Sequence, residues 1–247
     1  MPDLHILLIA EPAILAAYVV VGIVGFGSTL VSAPVLAHVI PIATIVPALA
    51  LTDLFSSWSR GTGFRAHVDS AELRRLVPAV LLGTCLGTWA LLTVPAVGLM
   101  LLLGIFVIGY AANGMRSHKI QPPLAPRWAW WYGAAGGVLS AMFGAGGWVY
   151  SAYLVRRLDD TQQIRATQNA VLSLTSLVRV ALFTSAGRYF DVALWLLVLC
   201  ILPAVALGLY IGHRISLKLD RHRFLQALYF VLILTGGSLI WRAWSLS

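Results

Sequence analysis

Pro78-Ala-Val-Leu-Leu-Gly-Thr-Cys-Leu-Gly87 and Pro203-Ala-Val-Ala-Leu-Gly-Leu-Tyr-Ile-Gly212 are identical at six of ten positions. Outward from this pair the likeness continues. At an offset of 119 residues, Gly25-Phe-Gly27 aligns with Gly144-Ala-Gly146, Ser32-Ala33 with Ser151-Ala152, Ser57 with Ser176 and Arg60 with Arg179. A six-residue insertion then brings Pro78 into line with Pro203. Leu- and Gly-rich helices resemble one another by chance, but here the order of the matches repeats as well. The chain reads as a duplicated unit.

The units are apolar. Of the 247 residues, 60% are hydrophobic and 11% charged, and the mean hydropathy is +0.87. A soluble domain carries roughly 25% charged residues, so most of this surface must face lipid. Apolar runs cover 4–24, 28–40, 43–59, 76–93, 96–113, 128–145, 148–155, 165–185, 192–212 and 224–241. Most suit a bilayer core that takes about 20 helical residues to cross. Two do not: 28–40 and 148–155 are short, and each follows a glycine-rich break. No Lys or Arg precedes the first run, as a cleavable leader would require, so that run is expected to stay as a span.

Lys and Arg gather in alternate loops. One loop holds Arg60, Arg65, Arg74 and Arg75, the next Arg116, Lys119 and Arg127. Arg156, Arg157 and Arg165 follow, then Arg214, Lys218, Arg221 and Arg223. Loops 38–43 and 94–96 have none, and 186–191 has only Arg188. Basic loops stay cytoplasmic, which places both termini outside. Equivalent loops of the two units then fall on opposite sides: 38–43 is bare where 156–165 is basic, and 60–75 is basic where 186–191 is nearly bare. The expected fold is an all-α polytopic membrane protein of two inverted-topology repeats. Each repeat has about five helical segments, with short half-helices after the glycine-rich breaks. The first repeat takes 1–115, a cytoplasmic linker 116–127 and the second repeat 128–247. Inverted repeats are a common basis of alternating-access transporters, with the site near the midplane between the halves.

The breaks read Gly25-Phe-Gly27-Ser28-Thr29 and Gly144-Ala-Gly146-Gly147-Trp148. Glycine lets the backbone leave helical geometry and admits close approach. If the half-helices enter from opposite sides, their N-termini meet near the midplane. Free N–H groups and positive dipole ends there suit an anion. Close helix packing through small residues is the competing explanation. Arg179 lies deep in the 165–185 run, where an arginine is costly unless it faces a cavity, pairs or snorkels. Its mate Arg60 sits at a segment end and reads as snorkelling. Ser56, Ser57, Gln168, Asn169, Thr175 and Ser176 are polar neighbours that complete a site or bond helix to helix. Asp53 reads as a carrier of a coupled proton or as the partner of an arginine such as Arg60.

Other chemistries find little here. The six histidines sit near segment ends, no HExxH or Cys/His spacing suggests a metal, and Cys85 and Cys200 lie in apolar runs. No Walker motif implies a nucleotide. No enzyme, cofactor or nucleic-acid partner is expected.

The break after the first helix, the repeated halves and the stretch Gln163-Ile-Arg165-Ala-Thr-Gln-Asn169 followed by Ser176-Leu-Val-Arg179 resemble the sulfite exporter TauE/SafE family, over about residues 10–241. The resemblance implies a prokaryotic inner-membrane permease for sulfite, sulfoacetate or other organosulfur anions, with seven to eight spans. It also implies a path formed by the two glycine segments and the Arg165–Arg179 region. The first break departs from the family, which often has a denser glycine run there.

The expected function is therefore export of a small sulfur-containing anion across the cytoplasmic membrane, driven by the membrane potential or a proton gradient. The rival readings are an anion channel and a non-transporting scaffold subunit. The expected partners are the anion and the lipid bilayer, with a homodimer as an option. The expected substrate-binding residues are Gly25, Gly27, Ser28, Thr29, Ser57, Gly144, Gly146, Gly147, Trp148, Gln168, Asn169, Ser176 and Arg179.

Overall fold

The computed structural model describes residues 4–24, 27–61, 67–115, 122–216 and 221–246. Among them the chain forms ten α-helices: α1 (Leu4–Val24), α2 (Ser28–Leu36), α3 (Ile42–Gly61), α4 (Ser70–Thr93), α5 (Ala96–Met115), α6 (Trp128–Phe143), α7 (Gly146–Leu154), α8 (Thr161–Ser185), α9 (Val192–Ser216) and α10 (Arg221–Leu246). A 3-10 turn, Arg188–Phe190, joins α8 to α9. Each apolar run has become one helix. The two short runs are nine-residue helices, each about 14 Å long at 1.5 Å rise per residue, or half a bilayer core.

Among the described residues, four helices are long and apolar enough to cross a membrane: α4, α5, α9 over Val192–Ile215 and α10 over Leu228–Ser245. Within α1 and α3, shorter apolar stretches run over Ala10–Ile23 and Ile42–Trp58. Helix α8 is 25 residues long but carries its polarity inward. Gln168, Thr175, Ser176 and Arg179 are buried while Leu177 is 55% exposed. The buried positions recur at helical spacing, so an apolar face meets the outside and a polar one the protein interior. Exposed tryptophans cluster toward helix ends: Trp128, Trp130 and Trp131 open α6, Trp241 and Trp244 close α10. That is where amphipathic rings sit at a membrane–water boundary.

Helices begin and stop for local reasons. The Asp69 carboxylate accepts the Glu72 N–H at 2.8 Å and starts α4; Asp160 accepts that of Gln162 at 2.9 Å and starts α8. Gly27 precedes α2 at φ +97° and Gly144 ends α6 at φ +60°, a left-handed geometry that side chains disfavour. The second break is shorter than the sequence suggested. Because Gly144 alone makes the turn, α7 restarts at Gly146, so Gly146 and Gly147 belong to its first turn.

The helices pair as α1 with α9, α4 with α6, α3 with α8 and α5 with α10. Matching α1–α5 in order to α6–α10 leaves this pattern unchanged: the first two pairs exchange and the last two map onto themselves. The agreement extends to atoms. A Cβ added at Gly83 would meet the Ala134 carbonyl oxygen, and one at Gly208 that of Leu15. At Gly87 it would meet the Val138 oxygen, and at Gly212 that of Val19. Gly104 and Gly236 face each other's carbonyls. With lipid as apolar as the side chains, such close backbone approach supplies the packing that holds helices together.

Candidate functional site

The start of α2 touches the turn that ends α6. A Cβ on Gly144 would lie against the Thr29 side chain, and Thr29, fully buried, has no partner for its hydroxyl. Beside this contact is a cavity of about 20 Å³, bordered by Gly27 and Ser28 at the first break and by Ser140 of α6 and Gly144 at the second. Asp53, Ser56 and Ser57 of α3 and Ser176 and Arg179 of α8 complete its polar wall, with Val21 and Leu172 as apolar neighbours. It has room for a water-sized group, less than a three-oxygen anion occupies.

Arg179 is 1% exposed. Its Nη1 donates to Asp53 Oδ2 at 3.4 Å and its Nη2 to the Val46 carbonyl at 3.4 Å. Both contacts are long for charge-assisted bonds, which favour about 2.7–2.9 Å. Its Nε has no partner at all. A buried guanidinium with slack bonds and an idle donor has capacity for a further acceptor. Asp53 is held on its other oxygen by Ser28 Oγ and by Tyr18 Oη at 3.0 Å. The Tyr18 hydroxyl also reaches Thr52 Oγ1 at 2.6 Å.

Of the residues expected from sequence, Gly27, Ser28, Ser57, Gly144, Ser176 and Arg179 border this cavity together with Asp53. Thr29 backs it. Gly146 packs against the Gly136 oxygen, and Gln168 Nε2 donates to the Gly147 carbonyl at 3.1 Å, so both brace the α7 start. Asn169 Nδ2 donates to the Ser57 carbonyl at 3.1 Å. Trp148 sits away from the cavity, edge-on to Tyr110 with centroids 5.5 Å apart. Gly25 and the Arg60 side chain lie outside the described residues. Asp53 pairs with Arg179.

Sequence reading passed over Tyr18 and Ser140, since a lone hydroxyl in an apolar run carries no positional signal. It also passed over Glu72, 3% exposed, which ties the first half of the chain to the second. Tyr153 Oη donates to Glu72 Oε2 at 2.7 Å, and Arg157 Nη2 and Arg75 Nη1 each donate to Oε1 at 2.6 Å. Accepting these bonds, the carboxylate holds the Arg157 guanidinium above its ordinary range. Between α3 and α8 a wider groove of about 280 Å³ adjoins the central cavity at Ser57. Its lining is mostly apolar, including Leu54, Trp58, Leu174 and Leu177, and no described cation borders it.

The chain is 26% identical over 188 residues to a probable inner membrane transporter protein TsaS of Comamonas testosteroni, covering 74% of this chain and 77% of that one. It is 28% identical over 209 residues to a probable sulfite/organosulfonate exporter TauE of Cupriavidus necator, covering 81% and 79%. No solved structure matches it. The profile of the sulfite exporter TauE/SafE family matches residues 12–239, nearly the whole length. The chain belongs to the sulfite exporter TauE/SafE family, and it is a membrane transporter, not an enzyme.

Proposed function

We propose that the protein exports a small sulfur-containing oxyanion, sulfite or an organosulfonate such as sulfoacetate, across the cytoplasmic membrane by alternating access. The observation that carries this reading is Arg179: a buried cation with an unpartnered Nε, on the wall of a cavity bordered by the start of α2 and by Gly144 at the turn into α7. The start of α2 adds free N–H groups and a positive dipole end, and Ser28, Ser57, Ser140 and Ser176 add hydroxyls. Such a set matches several oxygens sharing one negative charge. The name of one relative, the probable sulfite/organosulfonate exporter of Cupriavidus necator, points to the same substrate class.

Alternating access draws support from the repeat. Helix pairing that survives exchange of the halves, with basic loops alternating between them, suits two inverted units rocking about a central site. In this reading both termini lie outside, and the Glu72–Arg157 cluster lies on the cytoplasmic side. It joins α4 of one unit to the end of α7 of the other, as a closed inner gate would. The small central cavity also favours a carrier over an open channel.

Flux in proteoliposomes tests the proposal, with sulfite, thiosulfate, sulfoacetate, sulfate and chloride offered in turn and Arg179→Ala in parallel. Saturable movement of a sulfur anion that the variant loses is the expected result. Linear, non-saturating conductance would make the protein a channel, and no flux from folded protein would end the anion-transport reading.

A further inference from the structure

The proposed anion site already contains an anion. Asp53 borders the same cavity as Arg179, and the two form an ion pair whose charges sum to zero. A substrate anion entering this pair would leave two negative charges on one cation. In a poorly screened interior that excess is strongly opposed. The cavity beside the pair is also too small for both acceptors.

We propose that Asp53 takes up a proton each time the anion binds, so that the carrier moves one proton together with each anion. The inference rests on Arg179 as the anion contact. The proton comes from water on the side where the anion enters, forms an O–H bond on the Asp53 carboxylate, and returns to water on the side where the anion leaves. Arg179 is then free to turn its Nη1 and its idle Nε to the substrate.

The surroundings of Asp53 can accept either state. As a carboxylate it receives Ser28, Tyr18 and Arg179. As an acid it must donate, and Tyr18 offers the acceptor. The Tyr18 hydroxyl lies between Asp53 and Thr52. Thr52 spends its own proton on the Leu49 carbonyl at 3.0 Å, so its oxygen stays open to receive that of Tyr18. With its proton turned to Thr52, Tyr18 accepts the O–H of Asp53. No buried group loses its partner when the proton arrives, which is the condition for a low-cost switch. Among the described residues, the other ionisable groups facing the pair are tyrosines: Tyr18 on α1 beside Asp53, and Tyr150 on α7 and Tyr189 in the 3-10 turn within electrostatic reach of Arg179. Asp53 is the one carboxylate among the described residues at the cavity wall.

For a monoanion the moving complex is neutral; for a dianion such as sulfite or sulfoacetate it carries one negative charge, and an inside-negative potential assists its export. The experiment uses the full chain in proteoliposomes loaded with sulfoacetate, whose sulfonate and carboxylate both stay ionised near neutral pH. The potential is clamped with potassium and valinomycin, and a trapped dye reports lumenal pH. Wild-type efflux is expected to make the lumen alkaline by close to one proton per anion, and any flux left in Asp53→Asn to carry none. Wild-type efflux at constant lumenal pH overturns the proposal, as does an Asp53→Asn variant that keeps the wild-type proton ratio. If Asp53→Asn moves nothing, the wild-type ratio alone decides. Absence of all anion flux from wild type would instead strike the carrier reading itself.

Discussion

Arg179 Nη1 faces Asp53 Oδ2 across 3.4 Å, joining α8 to α3 although the two residues stand 126 positions apart in the chain. The pair borders the cavity at the two helix breaks, and its contacts are long enough for an incoming anion to replace them. Arg179 is thus both the cation expected to hold the substrate and one half of the bond that fills the site without it.

Replacing Arg179 by Ala leaves Asp53 in place without its cation. Breaking a buried pair this way costs roughly 3–5 kcal/mol, which a lowered unfolding temperature in detergent would register. Arg179→Lys keeps the charge but loses the planar fork of donors. It should fold better than the Ala variant and still transport at least about tenfold more slowly than wild type, the equivalent of about 1.4 kcal/mol. Equal transport by Lys would show that a point charge suffices.

Glu72 gathers Tyr153, Arg157 and Arg75, so Glu72→Ala strands a buried tyrosine hydroxyl and loosens two arginines. We expect a loss of about 3 kcal/mol, with Glu72→Gln recovering roughly half because a neutral acceptor keeps the hydrogen bonds at lower strength. Thermal unfolding of the two variants side by side checks the order. Identical curves for Ala and wild type would remove the cluster from any bracing role.

Gly83 and Gly208 occupy matching places in the α4–α6 and α9–α1 pairs, each with a carbonyl where a Cβ would go. Gly83→Ala and Gly208→Ala should each destabilise by about 1–3 kcal/mol, the range of overpacking. A neutral result at both would mean that the helices separate easily.

Side of exposure can be read by chemistry. Cys85 and Cys200 are free thiols, so Cys85→Ala with Cys200→Ala provides a blank background. In it His67→Cys is expected to react with an impermeant reagent only from the cytoplasm, and Asp191→Cys only from outside, if the two halves are oppositely oriented as proposed. Reaction of both from one side would dismiss the inverted arrangement. Ser28→Cys, at the start of α2, should react slowly and be shielded by substrate. A cysteine there that no reagent reaches from either side would leave the cavity without access.

Much of this architecture was legible because its causes are local. An apolar run with few charges becomes a helix wherever it lies, and all ten runs did. Asp69 and Asp160 start α4 and α8 as N-cap residues do. Gly144 breaks α6 because a left-handed residue is almost always glycine. The duplicated Pro78–Gly87 and Pro203–Gly212 stretches placed small residues where α4 meets α6 and α9 meets α1. The pattern of residues was visible in the chain; that those glycines face carbonyl oxygens was not.

The site was legible in its members and not in its bonds. Arg179 stood out because a cation deep in an apolar run needs a reason to be there, and that follows from one residue and its neighbours. Which carboxylate answers it depends on the approach of α3 to α8, and Asp53, Ser28 and Tyr18 come from three helices. Glu72 was hidden for the same reason: alone it is a charge near a helix start, and only the end of α7 brings it Tyr153 and Arg157. Composition and period, set by the energetics of a chain in lipid, determined the helices, their breaks and the buried cation. Tertiary packing decided which polar groups meet, because hydrogen bonds and ion pairs act over a few ångströms between segments that the sequence keeps far apart.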